Sequence, residues 1–217
     1  DDYLLPYSIK KIKEWVEEIE ESFDIAGVSG LRQYSDGSIT GEFPKRLLLK
    51  RNSFVDVKNT DRYLYKLMGD KAEIYRTEIL RMHPFPEFEG EDFITESVCW
   101  NAIAGEGYKI RWYNVPIYVC EYQPDGLTNS GANKFKGHEN NYQGYLYQVK
   151  NSLRQYHCYE AVTFFREYHN VAIRMGKNLE ERAKDIELTK LSYLLYMFKL
   201  PFFYSYRMII KLLRIFM

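Results

Sequence analysis

The feature that most constrains this chain is a change of texture near residue 135. Ahead of it, short apolar runs of mixed period are broken again and again by Gly and Pro. Behind it, from Glu139 onward, apolar residues recur almost wholly at helical spacing, with Gly176 and Pro201 as the expected breaks. The chain therefore divides into an α/β part, residues 1–135, and an α-helical extension, residues 136–217. A 46% apolar content suffices for a real core, and no internal repeat is visible.

Charge and cysteine content narrow the function classes. Thirty basic and thirty acidic residues cancel, so no global field favours nucleic acid or another polyanion. Cys99, Cys120 and Cys158 are odd in number and lack any CxxC spacing, which fits buried thiols in a reducing compartment. The histidines at 83, 138, 157 and 169 show no metal-ligand spacing. Aromatic residues reach 17%, a supply that serves cores, sugar-stacking faces and membrane interfaces alike.

Within the first part, Pro6 to Phe23 predicts a helix, with Pro in its first turn and Ile9, Ile12, Trp15 or Val16, Ile19 and Phe23 three to four apart. "DIAGVSGLRQY" and "SITGEF", joined by "SDG", predict two short strands and a turn. A helix is expected from about Thr60 to Met68 with Asn59 as its cap, then a glycine turn and a strand in "GDKAEIYR". After the hard punctuation of "HPFPEFEGED", a second helix is expected from about Asp92 to Ala104. "YKIRWYNVPIYVCEY" alternates as a strand or hairpin with Pro116 at an edge or bend, and "QPDGLTNSGANKFKG" is a loop on composition.

Three acidic sites can carry chemistry: Asp1 with Asp2, Glu91 with Asp92, and Glu96. Each has two readings. An acidic pair ahead of a helix serves as a cap favoured by the helix dipole. The same oxygens are hard ligands for Mg²⁺ or Mn²⁺, which bridges nucleotide phosphates. Asp92 and Glu96, four apart on the expected helix, would face one cleft, and the proximity would raise the pKa of one of them.

The stretch "FPEFEGEDFITESVCWNAIAGEGYKIRWYNVPIYVCEYQPDGLT" resembles the family 2 glycosyltransferases, which invert configuration and have the GT-A fold. Members run through "FPE", an acidic pair opening a helix, a Trp-containing helix, "Y-K-I", "P-I-Y" and a polar loop. "DDYLLPYSIKKI" resembles the end of the family's Asp-x-Asp-Asp motif and the helix behind it, with the first Asp missing. The resemblance covers residues 1 to about 130. It implies the C-terminal half of a GT-A (Rossmann-like, mixed sheet) domain whose nucleotide-binding strands lie upstream, so the isolated 217 residues are expected to be inactive.

The roles that follow from the resemblance are specific. Aligning Trp100, Ala104, Tyr108 and Pro116 with the family places Glu96 as catalytic base, with Asp92 as runner-up. Asp1 and Asp2 would hold a divalent cation, Mn²⁺ or Mg²⁺, with Asp1 the principal ligand and Asp2 a second ligand or a helix cap. Asp70 and Lys71, in "MGDKAEIYR", stand where donor or acceptor could be touched, and an ordinary turn explains them equally well. Trp100, Tyr122, Asp125 and Thr128 would shape the substrate pocket. "IRWY" is not the Gln-x-x-Arg-Trp motif of processive synthases, since position 108 is Tyr, and a single-addition enzyme fits better.

"LSYLLYMFKLPFFYSYRMIIKLLRIFM" carries Lys199, Arg207, Lys211 and Arg214 and no acid, with 207, 211 and 214 on one helix face. From Phe202 to Met217 a helix would extend about 24 Å, short of a hydrocarbon core of roughly 30 Å. Residues 191–217 are therefore expected to lie on an anionic membrane surface, the alternative being packing on the domain or in a homodimer. The expected function is transfer of a sugar from a nucleotide-sugar donor to a glycan or lipid-linked acceptor in bacterial surface-polysaccharide synthesis, by a protein peripheral on the cytoplasmic face of the cell membrane. The alternatives are an inactive transferase remnant serving as a membrane- or partner-binding scaffold, and a purely structural helical adaptor.

Overall fold

A computed structural model describes residues 2–48, 50, 52–121, 138–156 and 158–215, with backbone alone at 48, 158–159 and 203–215. The chain is mixed α/β and divides into two compact units, Asp1–Pro84 with Cys99–Gly131, and Phe85–Val98 with Ala132–Met217. The second unit thus takes in a segment, 85–98, that precedes the textural break at 135.

The first unit is built on a five-stranded mixed sheet of β1 (Tyr3–Leu4), β2 (Ile25–Gln33), β3 (Phe54–Val57), β4 (Lys71–Tyr75) and β5 (Lys109–Val119). β5 runs parallel to β2 on one side and pairs antiparallel with β3 and β1 on the other; β4 pairs antiparallel with β2. β5 is one continuous strand rather than a hairpin. Pro116 falls between the stretches that β3 and β1 cover, opposite a register shift in β2, where its missing N–H breaks no ladder.

Period-two alternation, reset in β2 by the irregularity between Ile25 and Gly27, places a core on each sheet face. Val28, Tyr113 and Ile117 meet Trp15 and Ile19, while Ala26, Leu31, Ile110 and Trp112 meet Ile79 and Ile103. Trp15 belongs to α1 (Ser8–Glu18) and stacks on Tyr113 at 4.1 Å. α1 is shorter than the expected Pro6–Phe23 helix, because turns begin at Ile19 and Phe23 is 87% exposed. The other face is covered in part by α3 (Thr77–Met82) and α4 (Ser97–Gly105); α2 is the short Lys45–Leu48 turn.

Three local expectations are overturned. "SITGEF" forms only a single bridge, Ile39 to Gln33, because Gly41 turns at φ +70. A side chain there would meet the Met68 carbonyl at 2.6 Å, so only glycine fits this close approach to Gly69. The Thr60–Met68 helix is a 3₁₀ turn, Asn59–Asp61, followed by further turns. Asn59 does not cap it: its amide donates to Asn101 Oδ1 at 2.7 Å in the interior. The Asp92–Ala104 helix begins only at Ser97; ahead of it the chain is irregular, and the N–H groups of Asp92 and Phe93 donate to Asn141 Oδ1 at 2.9 and 3.0 Å.

The second unit is helical: α5 (Tyr142–Gln155), α6 (Cys158–Arg174), α7 (Leu179–Asp185) and α8 (Lys190–Ile215). Tyr145, Val149, Phe165, Tyr168, Val171 and Tyr193 lead its core. Gly176, at φ +73, ends α6 while the Lys177 N–H returns to the Ala172 carbonyl. Asn178 and Glu181 then open α7 with a reciprocal capping box. Pro201 is not a break. α8 runs through it, since the fixed proline φ is helical and the cost is one missing backbone hydrogen bond rather than a stop. Among the described residues no helix is long and apolar enough to cross a membrane.

Candidate functional site

In the first unit the candidate residue Asp2 lies where the parallel strands β2 and β5 end together, Gln33 opposite Val119. Open α/β sheets bind ligands outside the carboxyl ends of their strands. Asp2 reaches this place because β1 pairs with the last residues of β5, Tyr3 with Val119 and Leu4 with Tyr118. Its carboxylate is exposed and oriented by two donors: the Tyr118 hydroxyl to Oδ2 at 2.9 Å and the Glu121 N–H to Oδ1 at 3.2 Å.

A chain of contacts steadies that carboxylate. Arg32 lies over the Tyr118 ring at 4.9 Å and donates from Nε to the Lys71 carbonyl at 2.8 Å. Burial, and then the neighbouring Asp2, push the Tyr118 phenol up, so it remains the donor of the Asp2 hydrogen bond. Cys120 is buried with its Sγ 3.7 Å from the Gln33 carbonyl, and burial pushes its thiol up as well. That environment does not make a thiolate nucleophile.

Lys71 is turned inward. It is 1% exposed, and its amine donates to the Met68 carbonyl at 3.0 Å and the Asp70 carbonyl at 3.4 Å, tying the glycine turn together. Burial, with Arg62 as a second cause, lowers it to about 8. Arg62 stands 4.7 Å over Trp112 and 3.7 Å from Glu73, whose carboxyl is pushed up by burial against the pull of that guanidinium. Asp70 is exposed at the same turn. Trp100 is partly buried and stacks on Tyr75 at 4.2 Å, which makes it part of the core around α4.

In the second unit the segment before α4 holds the other carboxylates. Glu91 accepts the N–H groups of Gln143 and Gly144 at 2.6 and 2.8 Å, satisfying the free donors at the start of α5 from far along the chain. Asn141 returns the favour through its bonds from Asp92 and Phe93. A cavity of about 420 Å³ opens beside this clamp, lined by the aromatic rings of Phe85, Phe88 and Phe93 and by Glu87, Glu91 and Asp92. Asp92 is exposed. Glu96 is exposed in the turn immediately ahead of α4 and has no hydrogen bond or ion pair among the described residues.

The sequence-level pairing of Asp92 with Glu96 along one helix is therefore corrected: both precede the helix. Asp1, Tyr122, Asp125 and Thr128 lie outside the described residues. Tyr118 and Arg32 were not singled out from sequence, although a polar ring flanked by the buried Ile117 and Val119 is the alternation signal that marks an opposite-facing position. Glu91 stands in the sequence only as one of the acidic positions, beside Asp92, and its partners, 52 and 53 residues away, leave no local trace.

Asp2 meets the chemical requirement for a Mg²⁺ or Mn²⁺ ligand, since such ions take one or two carboxylates and complete their shell with water and substrate phosphate. Among the described residues no group of three His, Cys, Asp or Glu side chains is close enough to form an all-protein metal cage. No protein-family model matches the chain, and no curated protein matches it.

Proposed function

We propose that the chain carries the acceptor-side half of a GT-A glycosyltransferase domain, acting on a nucleotide-sugar donor and a glycan or lipid-linked acceptor by a single inverting displacement. The observation that carries this reading is the exposed Asp2 carboxylate, oriented by Tyr118 and the Glu121 N–H at the carboxyl ends of two parallel strands. The order of motifs from "DDYLLP" to "PIYVCEY" supports it.

Asp2, with Asp1 beside it in sequence, would hold Mg²⁺ or Mn²⁺, which when bound supplies positive charge to the departing nucleoside diphosphate. Glu96 is the general base: its carboxylate takes the proton of the acceptor hydroxyl. The hydroxyl oxygen bonds to the anomeric carbon as the bond from that carbon to the diphosphate oxygen breaks, and the electron pair leaves with the diphosphate. Tyr118 holds Asp2 in one orientation and Arg32 holds the Tyr118 ring.

The natural full-length protein, screened against nucleotide sugars with Mg²⁺ or Mn²⁺, should release nucleoside diphosphate with one donor and give a product of inverted anomeric configuration by proton NMR. Chelation should abolish release. A retained configuration, turnover unaffected by chelation, or silence with every donor would overturn the proposal.

A further inference from the structure

Over Leu191–Phe202, α8 is apolar on two sides, and among the described residues only one of them is covered. Tyr193 is fully buried, and Tyr196, Met197 and Leu200 pack with it into the helical core. The opposite side presents Leu191, Leu194, Leu195, Phe198 and Phe202, exposed by 68, 47, 54, 68 and 64%. Their spacing of three and four residues makes them one continuous stripe along the helix. Scattered exposed leucines are ordinary, whereas a contiguous stripe on a helix already docked by its other face marks a contact surface.

Charge says what the stripe meets. From Leu188 to Met217 the sequence carries Lys190, Lys199, Arg207, Lys211 and Arg214 and no acid. By the 3.6-residue turn, Lys190 and Lys199 fall on the two flanks of the stripe. Lys199 is exposed, its amine 5.0 Å from the Tyr196 ring, and Lys190 pairs with Glu180 at 2.8 Å. Apolar side chains bordered by lysines, whose stems bury while their heads stay wet, match the boundary between acyl chains and anionic headgroups. A second copy of the chain does not supply the complementary charge. In a two-fold contact along the stripe, Lys199 on its flank would meet no acid from the same stretch of the partner copy.

We propose that the Leu191–Phe202 stripe of α8 docks the protein on the surface of an anionic lipid bilayer, lying in the interface without crossing it. The surface and its readout are separate from the transferase reading, because partition is measured without donor or turnover.

The 217-residue chain should co-sediment with phosphatidylglycerol-containing vesicles, bind pure phosphatidylcholine vesicles much more weakly, and lose affinity as salt is raised. The double variant Leu195→Glu/Phe198→Glu, at exposed positions, should partition roughly tenfold less or worse while keeping its circular dichroism and melting temperature. If the glutamates disturb folding, the milder Leu195→Ser/Phe198→Ser pair carries the same readout. The proposal is overturned if the wild type does not sediment with anionic vesicles or if the folded variants bind them as well as wild type. A stripe found instead to hold a dimer that the variants dissociate, with no lipid binding, would overturn it too.

Discussion

Lys71 is the residue whose environment departs furthest from what its type suggests. A lysine beside an aspartate in a glycine turn reads as a surface cation able to meet phosphate, yet its amine is buried against main-chain carbonyls of its own turn. Its ordinary value of 10.5 falls to about 8 in the folded chain. Between those values the unfolded chain holds a proton that the folded chain has released, so unfolding becomes less favourable as pH rises. Below about 8 both states are charged and the cost of the buried charge is present in full. The Lys71 contribution should therefore grow by about 2 kcal/mol from pH 7 to 10, read as the stability of wild type relative to Lys71→Met, because the buried thiols and phenols whose values are raised, Cys99, Cys120 and Tyr118 among them, pull stability down over the same range in both proteins. Urea unfolding of both proteins across this range checks it, and parallel slopes would contradict it. Asp2 shows the converse: its role depends on Tyr118, reached only through strand pairing 116 residues apart.

At the scale of elements, helices and strands were legible where one periodicity held without interruption, as in β2, β4, β5 and the helical C-terminal part. They were not legible where contacts distant in sequence accompany irregular backbone. The segment 92–95 has helical spacing on paper, yet it is irregular, its first two N–H groups donate to Asn141 far along the chain, and the helix starts at Ser97. Glu91 makes the reciprocal contribution to α5, and its loss should be felt by that element. Glu91→Ala leaves the Gln143 and Gly144 N–H groups without their carboxylate and should cost about 1–2 kcal/mol. Amide exchange over the first turn of α5 should speed up more than elsewhere in the helical unit. Unchanged stability and exchange would mean that the clamp is not what orders this turn.

For the whole molecule, the textural break near residue 135 located the helical extension but not the limits of the second compact unit, which also includes 85–98. Nothing local in "HPFPEFEGED" announces that its carboxylate serves a helix fifty residues on. The candidate chemistry was legible as a set of acidic positions and an order of motifs, whereas their surroundings were not. Asp2 is oriented, Glu91 is committed to a helix end, and Glu96 stands exposed ahead of α4. The most direct test of the transferase account compares wild type, Glu96→Gln and Asp92→Asn in the natural full-length protein, under saturating donor and Mg²⁺ or Mn²⁺. Turnover should fall by about 10²- to 10⁴-fold for Glu96→Gln with donor binding retained, and change little for Asp92→Asn. A fully active Glu96→Gln variant would contradict the account, all the more if Asp92→Asn were dead.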